Sequence, residues 1–170
     1  VPKFIVTICA PDAVGGGVIV PAVAERLGVV AQALSAPRSV PGAGEDAPDD
    51  RVFRERSERE IARLHTTGGV IRDGAGVVML AGDPSVLRVR LDGPFDARVR
   101  QGAAASGRTE AETRAILEQR DPAWAAFYRT FYDADLAQTR WYHLILDPTV
   151  LDWDLCADLI ALAAREFTKR

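Results

Sequence analysis

The sequence predicts an α/β fold, a three-layer sandwich around a mostly parallel sheet, and three observations carry that prediction. Short apolar runs of buried-strand type alternate with segments of helical periodicity along the chain. The first run leads into a glycine-rich turn and a helix, "CAPDAVGGGVIVPAVAERLG" from Cys9 to Gly28. The apolar share, 48% of 170 residues, suffices for one substantial core, so a single domain over 1–170 is expected. In sheets of this kind ligands sit beyond the carboxyl ends of the strands. The residues after Ile8, Ile71, Leu91 and Leu146 are therefore the ones to inspect.

Taken in order, "KFIVTIC" at 3–9 reads as the first strand. A helix follows over 16–28, with Ile19, Val23 and Leu27 on one face and Gly28 as its C-cap. Pro21 falls in its first turns, where a missing N–H costs little. Residues 31–52 are rich in Pro, Ala, Gly and Asp and read as a mobile loop. A charged helix occupies 53–66, anchored by Phe53, Ile61 and Leu64. "GGVIR" and "VLRVRLD" read as strands, the second placing Arg88 and Arg90 on one face. Pro94 opens a helix to about 105, and Thr109 with Glu112 forms a capping box for the next. Asp121-Pro122 resembles an N-cap and first-turn proline, so the long helical region is expected to break and restart there. "WYHLILD" at 141–147 is the last strand. Residues 152–168 form the last helix, with Leu155, Leu159, Leu162 and Ala163 as its buried stripe.

Composition narrows the function classes. A net charge of −3 gives no support for nucleic-acid binding. Arginine outnumbers lysine, so any phosphate-binding patch would use guanidinium forks. Cys9 and Cys156 lack metal-ligand or redox spacing and read as reduced, buried thiols. No apolar stretch approaches the ~20 residues of a membrane span, and no secretory leader is read at the start. A cytoplasmic location is the default expectation. His65 and His143 have no partner at ligand spacing, so no metal site is expected. A homodimer or a protein partner is left open.

The glycine turn invites a phosphate reading. A phosphate loop works because successive backbone N–H groups and a helix N-terminus point at an anion. Ala13, Val14, Gly15, Gly16 and Gly17 would form that cradle; a plain tight turn is the competing reading. An active P-loop enzyme adds a lysine on the β/γ-phosphates and a hydroxyl on Mg²⁺. Gly16 and Gly17 stand at those positions. Removing one preorganised electrostatic donor costs on the order of 10²–10³ in rate, so fast catalysis is not expected.

Read with the C-terminal half, the chain resembles the cytidylate kinase-like family of P-loop phosphotransferases. The resemblance covers about 3–30 and 53–168. It rests on "VTICAPDAVGGGVIVPAVAERLG", "GGVIRDGAGVVML", "VLRVRLDGPFDARVRQ", "YRTFYDAD" and "WYHLILDPTVLDWDLCADLI". It implies a nucleoside-monophosphate-kinase fold that binds a nucleotide or other phosphorylated ligand, with ATP and Mg²⁺ as donor and CMP as one small acceptor. Arg72 and Asp73 match the last two residues of the family's G-R-D acceptor segment. Arg98 and Arg100 match lid arginines, and Arg120-Asp121 opens the R-D-x-x-D-x-x-R run. By that resemblance Arg98, Arg100 and Arg120 would neutralise charge in transit and Asp73 would orient the acceptor. Trp124 and Phe127 replace the run's second Asp and final Arg, and the acceptor segment at 31–52 is short. These departures sustain an alternative, an inactive pseudokinase that senses a ligand or docks a protein. Arg98, Arg100 and Arg108 could equally be solvated charges, and Asp92 and Asp147 turn or capping residues.

Overall fold

The computed structural model describes residues 3–169. Five parallel strands, β1 (Ile5–Cys9), β2 (Ala31–Ala33), β3 (Gly69–Arg72), β4 (Val86–Leu91) and β5 (Leu144–Leu146), lie in the order β2-β3-β1-β4-β5. Each parallel pairing needs a crossover. The helices α1 (Gly16–Leu27), α2 (Asp50–Thr67), α3 (Gly74–Met79), α4 (Phe95–Ser106) and α5 (Glu110–Tyr132) lie in these connections, and α6 (Trp153–Phe167) follows β5.

Strand alternation sorts the side chains into two cores. Val6, Ile8, Val70, Leu87, Val89 and Leu91 face α1 and α6. Ile5, Ile71 and Val86 face the other way, against α2, α3 and α5. The second face also takes Arg88, whose buried guanidinium donates to the carbonyls of Ala81 and Trp141 at 2.8 and 2.7 Å. Three carbonyl contacts satisfy a cation that burial would otherwise penalise.

Several helix ends match their sequence signals. Gly28 caps α1 at φ 66°, in the left-handed region that favours glycine. Thr109 and Glu112 form both halves of the capping box that starts α5. Asp49, which the sequence places in the loop, caps α2 and accepts from the Val52 N–H at 2.9 Å.

Four expectations need correction. The buried stripe of α6 is Cys156, Ala157, Ile160, Ala161 and Ala164, while Leu155 and Leu162 are 44% and 55% exposed. The helix is apolar on more than one face, and the small-residue stripe lets α1 approach closely. Next, α5 runs unbroken through Pro122. Asp121 caps nothing because its carboxylate is claimed by Arg98, and aromatic packing below holds the helix across the proline. Finally, 31–52 is not all loop: β2 extends the sheet and α2 begins at Asp50. The irregular stretch between them is pinned by buried Val40 and Ala47 and by the Arg38 N–H donating to Pro48. The last strand is also shorter than 141–147, because a 3₁₀ turn takes Thr139–Trp141.

Candidate functional site

At the carboxyl edge of the sheet, the chain leaves β1 at Cys9 and reaches α1 through residues 10–15. Gly15 has φ 73° and Ala13 φ 63°. Ala13 therefore holds a left-handed conformation that glycine would adopt freely, at a cost of about 1 kcal/mol or more. Among the described residues, nothing accepts a hydrogen bond from the N–H groups of Val14, Gly15, Gly16 or Gly17. They are the orphan donors of a helix start.

The opposite side of the loop is held by α4. Arg98 donates to the Asp12 carbonyl at 2.7 and 3.1 Å, and Gln101 Nε2 donates to the Ala13 carbonyl at 3.0 Å. Gly102 makes this approach possible, since a Cβ there would stand 2.8 Å from that of Ala13. From the other direction the Trp153 indole lies against Gly15. With the carbonyls drawn to α4, the loop's backbone is fixed by contacts that sequence spacing does not announce.

Beside the loop is a cavity of about 410 Å³. Its charged wall contains Asp12, Asp92, Asp121, Arg72, Arg90, Arg98 and Arg120, and its apolar wall contains Phe53, Trp124 and Tyr128. The two walls differ in how committed their groups are. Arg98 grips Asp121 with two bonds of 2.8 and 3.0 Å and is only 5% exposed. Arg120 pairs with Asp12 at 2.6 Å, and Arg90 with Asp92 at 2.7 Å. Trp124 and Tyr128 are stacked with centroids 5.6 Å apart. Phe127 goes into the core instead. The aromatic run at 124–132 thus serves both the core and the cavity.

Arg72 and Asp73, adjacent in sequence, point to opposite faces. Arg72 lies against Gly16 and Gly17. Asp73 is buried among α2 and α5, where Ser57 and Tyr128 hydroxyls and the Ala75 N–H donate to its carboxylate. Burial pushes its pKa up, against those three bonds, which act downward. Burial also holds the Tyr128 phenol well above its ordinary value. Arg100 is exposed at a second, more open groove of about 580 Å³ that it shares with Ala104, Thr149 and Trp153.

The remaining candidates act locally. Asp147 accepts from the Thr149 N–H at 2.8 Å and Asp92 from the Gly93 N–H at 2.8 Å. His143 Nδ1 accepts from the Arg88 N–H at 3.1 Å, extending the β4–β5 pairing. Burial raises the pKa of the Cys9 thiol, which weakens it as a nucleophile. Among the described residues, no three His, Cys, Asp or Glu side chains are grouped to hold a metal ion, and no helix is long and apolar enough to cross a membrane. Asp12, Gln101 and Asp121 are the site residues that sequence reasoning left without a role. Only the pairing of Arg120 with Asp121 in one motif hinted at them.

Asp73 gives a pH prediction. Its raised native pKa means that its contribution to stability is complete below the unfolded value and is lost as pH rises through the native value. Asp73→Asn removes that loss and keeps an N-cap side chain for α3. Melting curves from pH 4 to pH 7 should therefore shift steadily in the variant's favour relative to wild type. A constant difference across that range would contradict the assignment.

A five-stranded parallel sheet with a glycine loop between its central strand and a helix defines the kinase-like P-loop nucleotide-binding fold. The model of the cytidylate kinase-like family matches residues 31–149, and the chain belongs to that family. Solved structures agree on the fold. An uncharacterized protein from Eubacterium ventriosum ATCC 27560 superposes with TM-score 0.75 at 14% identity, over 96% of this chain and 99% of the other. A gluconokinase from Sinorhizobium meliloti 1021 gives 0.62 at 14% identity, over 97% and 95%. A shikimate kinase from Bacteroides thetaiotaomicron gives 0.54 at 12% identity, over 99% of both chains. Comparison with curated proteins gave no match.

Proposed function

We propose that the loop at 13–17 binds the phosphates of a nucleoside triphosphate and that the neighbouring cavity takes a small hydroxyl-bearing acceptor. The observation that carries this reading is the loop itself: unclaimed N–H groups at the start of α1, in a backbone path that α4 holds by its carbonyls. Such donors, with the helix dipole behind them, favour an anion of phosphate type. ATP with Mg²⁺ fits this donor set, the phosphates lying on the loop and the metal arriving on the nucleotide. Bound Mg²⁺ would supply charge neutralisation at the transferred phosphoryl group.

The chain's own residues then divide the work. Arg98 holds the loop to Asp121, and Arg120 ties Asp12 to the cavity wall. In this reading Asp73 would orient the acceptor by accepting a hydrogen bond from its hydroxyl, and Trp124 and Tyr128, which line the cavity, would offer it a flat apolar wall. CMP is one acceptor of suitable size. Gluconokinase and shikimate kinase, which share the fold, are named for small hydroxylated acids. The absence of lysine at 16 and of a hydroxyl at 17 favours a second reading, a pseudokinase that binds the ligand without fast turnover.

A thermal-shift panel of nucleotides with and without Mg²⁺ tests the first claim. Ligand at a hundred times Kd stabilises by about 2.7 kcal/mol, a rise of roughly 5–10 °C for a chain of this size. No shift with any nucleotide removes the phosphate-site reading. With ATP, Mg²⁺ and CMP, turnover is expected far below the ~1–100 s⁻¹ usual for kinases. Rapid CDP formation would remove the pseudokinase reading.

A further inference from the structure

Val70 and Arg72 lie on one face of β3, and Ile71 lies on the other. Val70 belongs to the core beneath α1. The Arg72 side chain, one pleat nearer the carboxyl edge, therefore runs out over the first turn of that helix. The glycines there measure its approach. A Cβ at Gly16 would stand 3.2 Å from Arg72 Cδ and 3.5 Å from Nη1, and one at Gly17 would stand 3.7 Å from the same Nη1. These are the positions where a P-loop enzyme carries its lysine and its hydroxyl.

Arg72 is also uncommitted. Among the described residues it makes no hydrogen bond or ion pair, although it lines the cavity. The nearby acids are engaged elsewhere, Asp12 by Arg120 and Asp73 by Ser57, Tyr128 and the Ala75 N–H. Arg90, Arg98 and Arg120, by contrast, are each fixed on a carboxylate. A half-buried guanidinium with open donors, beside a row of unclaimed backbone N–H groups, is a composite site for a polyphosphate.

We propose that Arg72 is the phosphate-binding cation of the loop, supplying from the end of β3 the charge that lysine would supply from position 16. This rests on the reading of the loop as a phosphate site. It moves Arg72 from the acceptor side, where the resemblance placed it, to the donor side, and leaves Asp73 alone facing the acceptor. It also explains why glycine stands at 16. A Cβ there meets Ala10 Cβ at 3.0 Å as well as Arg72 Cδ, so a lysine at 16 and the arginine at 72 compete for one space and repel by charge.

The test is calorimetric titration with sodium tripolyphosphate at low and high salt, using wild type, Arg72→Gln, Arg72→Lys, Gly16→Lys and the double variant Gly16→Lys/Arg72→Gln. Wild type is expected to bind, more weakly at high salt. Arg72→Gln should lose about 10–100-fold in affinity, the effect of losing charge-assisted bonds, with its melting temperature retained. Arg72→Lys should stay within about tenfold of wild type. Gly16→Lys alone should gain nothing, whereas in the Arg72→Gln background it should recover at least about tenfold, a non-additivity that only shared occupancy produces.

Wild-type binding that Arg72→Gln leaves intact overturns the role of Arg72 and leaves the loop reading standing. No tripolyphosphate binding by wild type removes the loop reading itself. Should Arg72→Gln fail to fold, the Gly16→Lys single variant decides, because a clear gain in affinity with Arg72 present contradicts competition for one space.

Discussion

Gly15→Ala is expected to lower the melting temperature by about 5–15 °C and to abolish tripolyphosphate binding. Two costs act at the same atom. The backbone at Gly15 has φ 73°, where an L side chain costs roughly 1–2 kcal/mol. The added methyl would also stand 2.5–2.9 Å from three atoms of the Trp153 indole, so the ring or the loop must move. Overpacking of this kind costs about 1–3 kcal/mol, and each kcal/mol lowers the melting temperature by roughly 2–4 °C at this chain length. Trp153→Ala in the same chain removes the second cost but not the first. The double variant should recover part of the stability and none of the binding, because the N–H directions depend on φ. A single variant that melts within about 2 °C of wild type would show that the loop is loose and that its conformation is not held by Trp153.

Asp121→Ala is expected to be nearly as damaging to stability, by about 2–3 kcal/mol. The Arg98 side chain is 6% exposed and the Asp121 side chain 30%. Removing the carboxylate leaves a buried guanidinium with only the Asp12 carbonyl to serve. Complete loss of a partner from a buried pair costs about 3–5 kcal/mol, and the partial exposure of Asp121 reduces that figure. The consequence should reach the ligand site, since the same guanidinium holds the loop carbonyl. Affinity for tripolyphosphate is expected to fall along with the melting temperature. Asp96→Ala is the control. Its partner Arg114 lies on the surface, with side-chain exposures of 67% and 43% for the acid and the base, and solvent screens such pairs so that they contribute little. Equal losses in the two variants would mean that burial of Arg98 adds nothing to its pair with Asp121.

Local physics made much of the fold readable. Strand alternation, the Gly28 cap and the Thr109–Glu112 box each act within a few residues, and each is found where its pattern stands. Misreadings came where two local rules competed. In α6 both the leucine stripe and the Cys/Ala/Ile stripe satisfy helical periodicity, and only the position of α1 selects the second. At Asp121-Pro122 the helix-start signal is real, yet the carboxylate is worth more to Arg98 than to a free N–H of its own helix. The short strand β2 carries too few residues to show a period and exists because β3 offers it an edge.

The site divides in the same way. The sequence by itself determined that a glycine-rich turn follows a buried strand, that lysine and hydroxyl are missing from it, and that arginines and acids recur in order downstream. Those are facts of residue identity and spacing. Only the tertiary structure decided what the charges do, because a guanidinium's role depends on which carboxylate or carbonyl lies within about 3 Å, and those partners are 23 to 108 residues away in the chain. Arg98 and Arg120 were thereby committed to Asp121 and Asp12. Arg72, whose direction follows from the pleat of β3 and from α1 lying on that face, was left beside Gly16 and Gly17 with its donors unused.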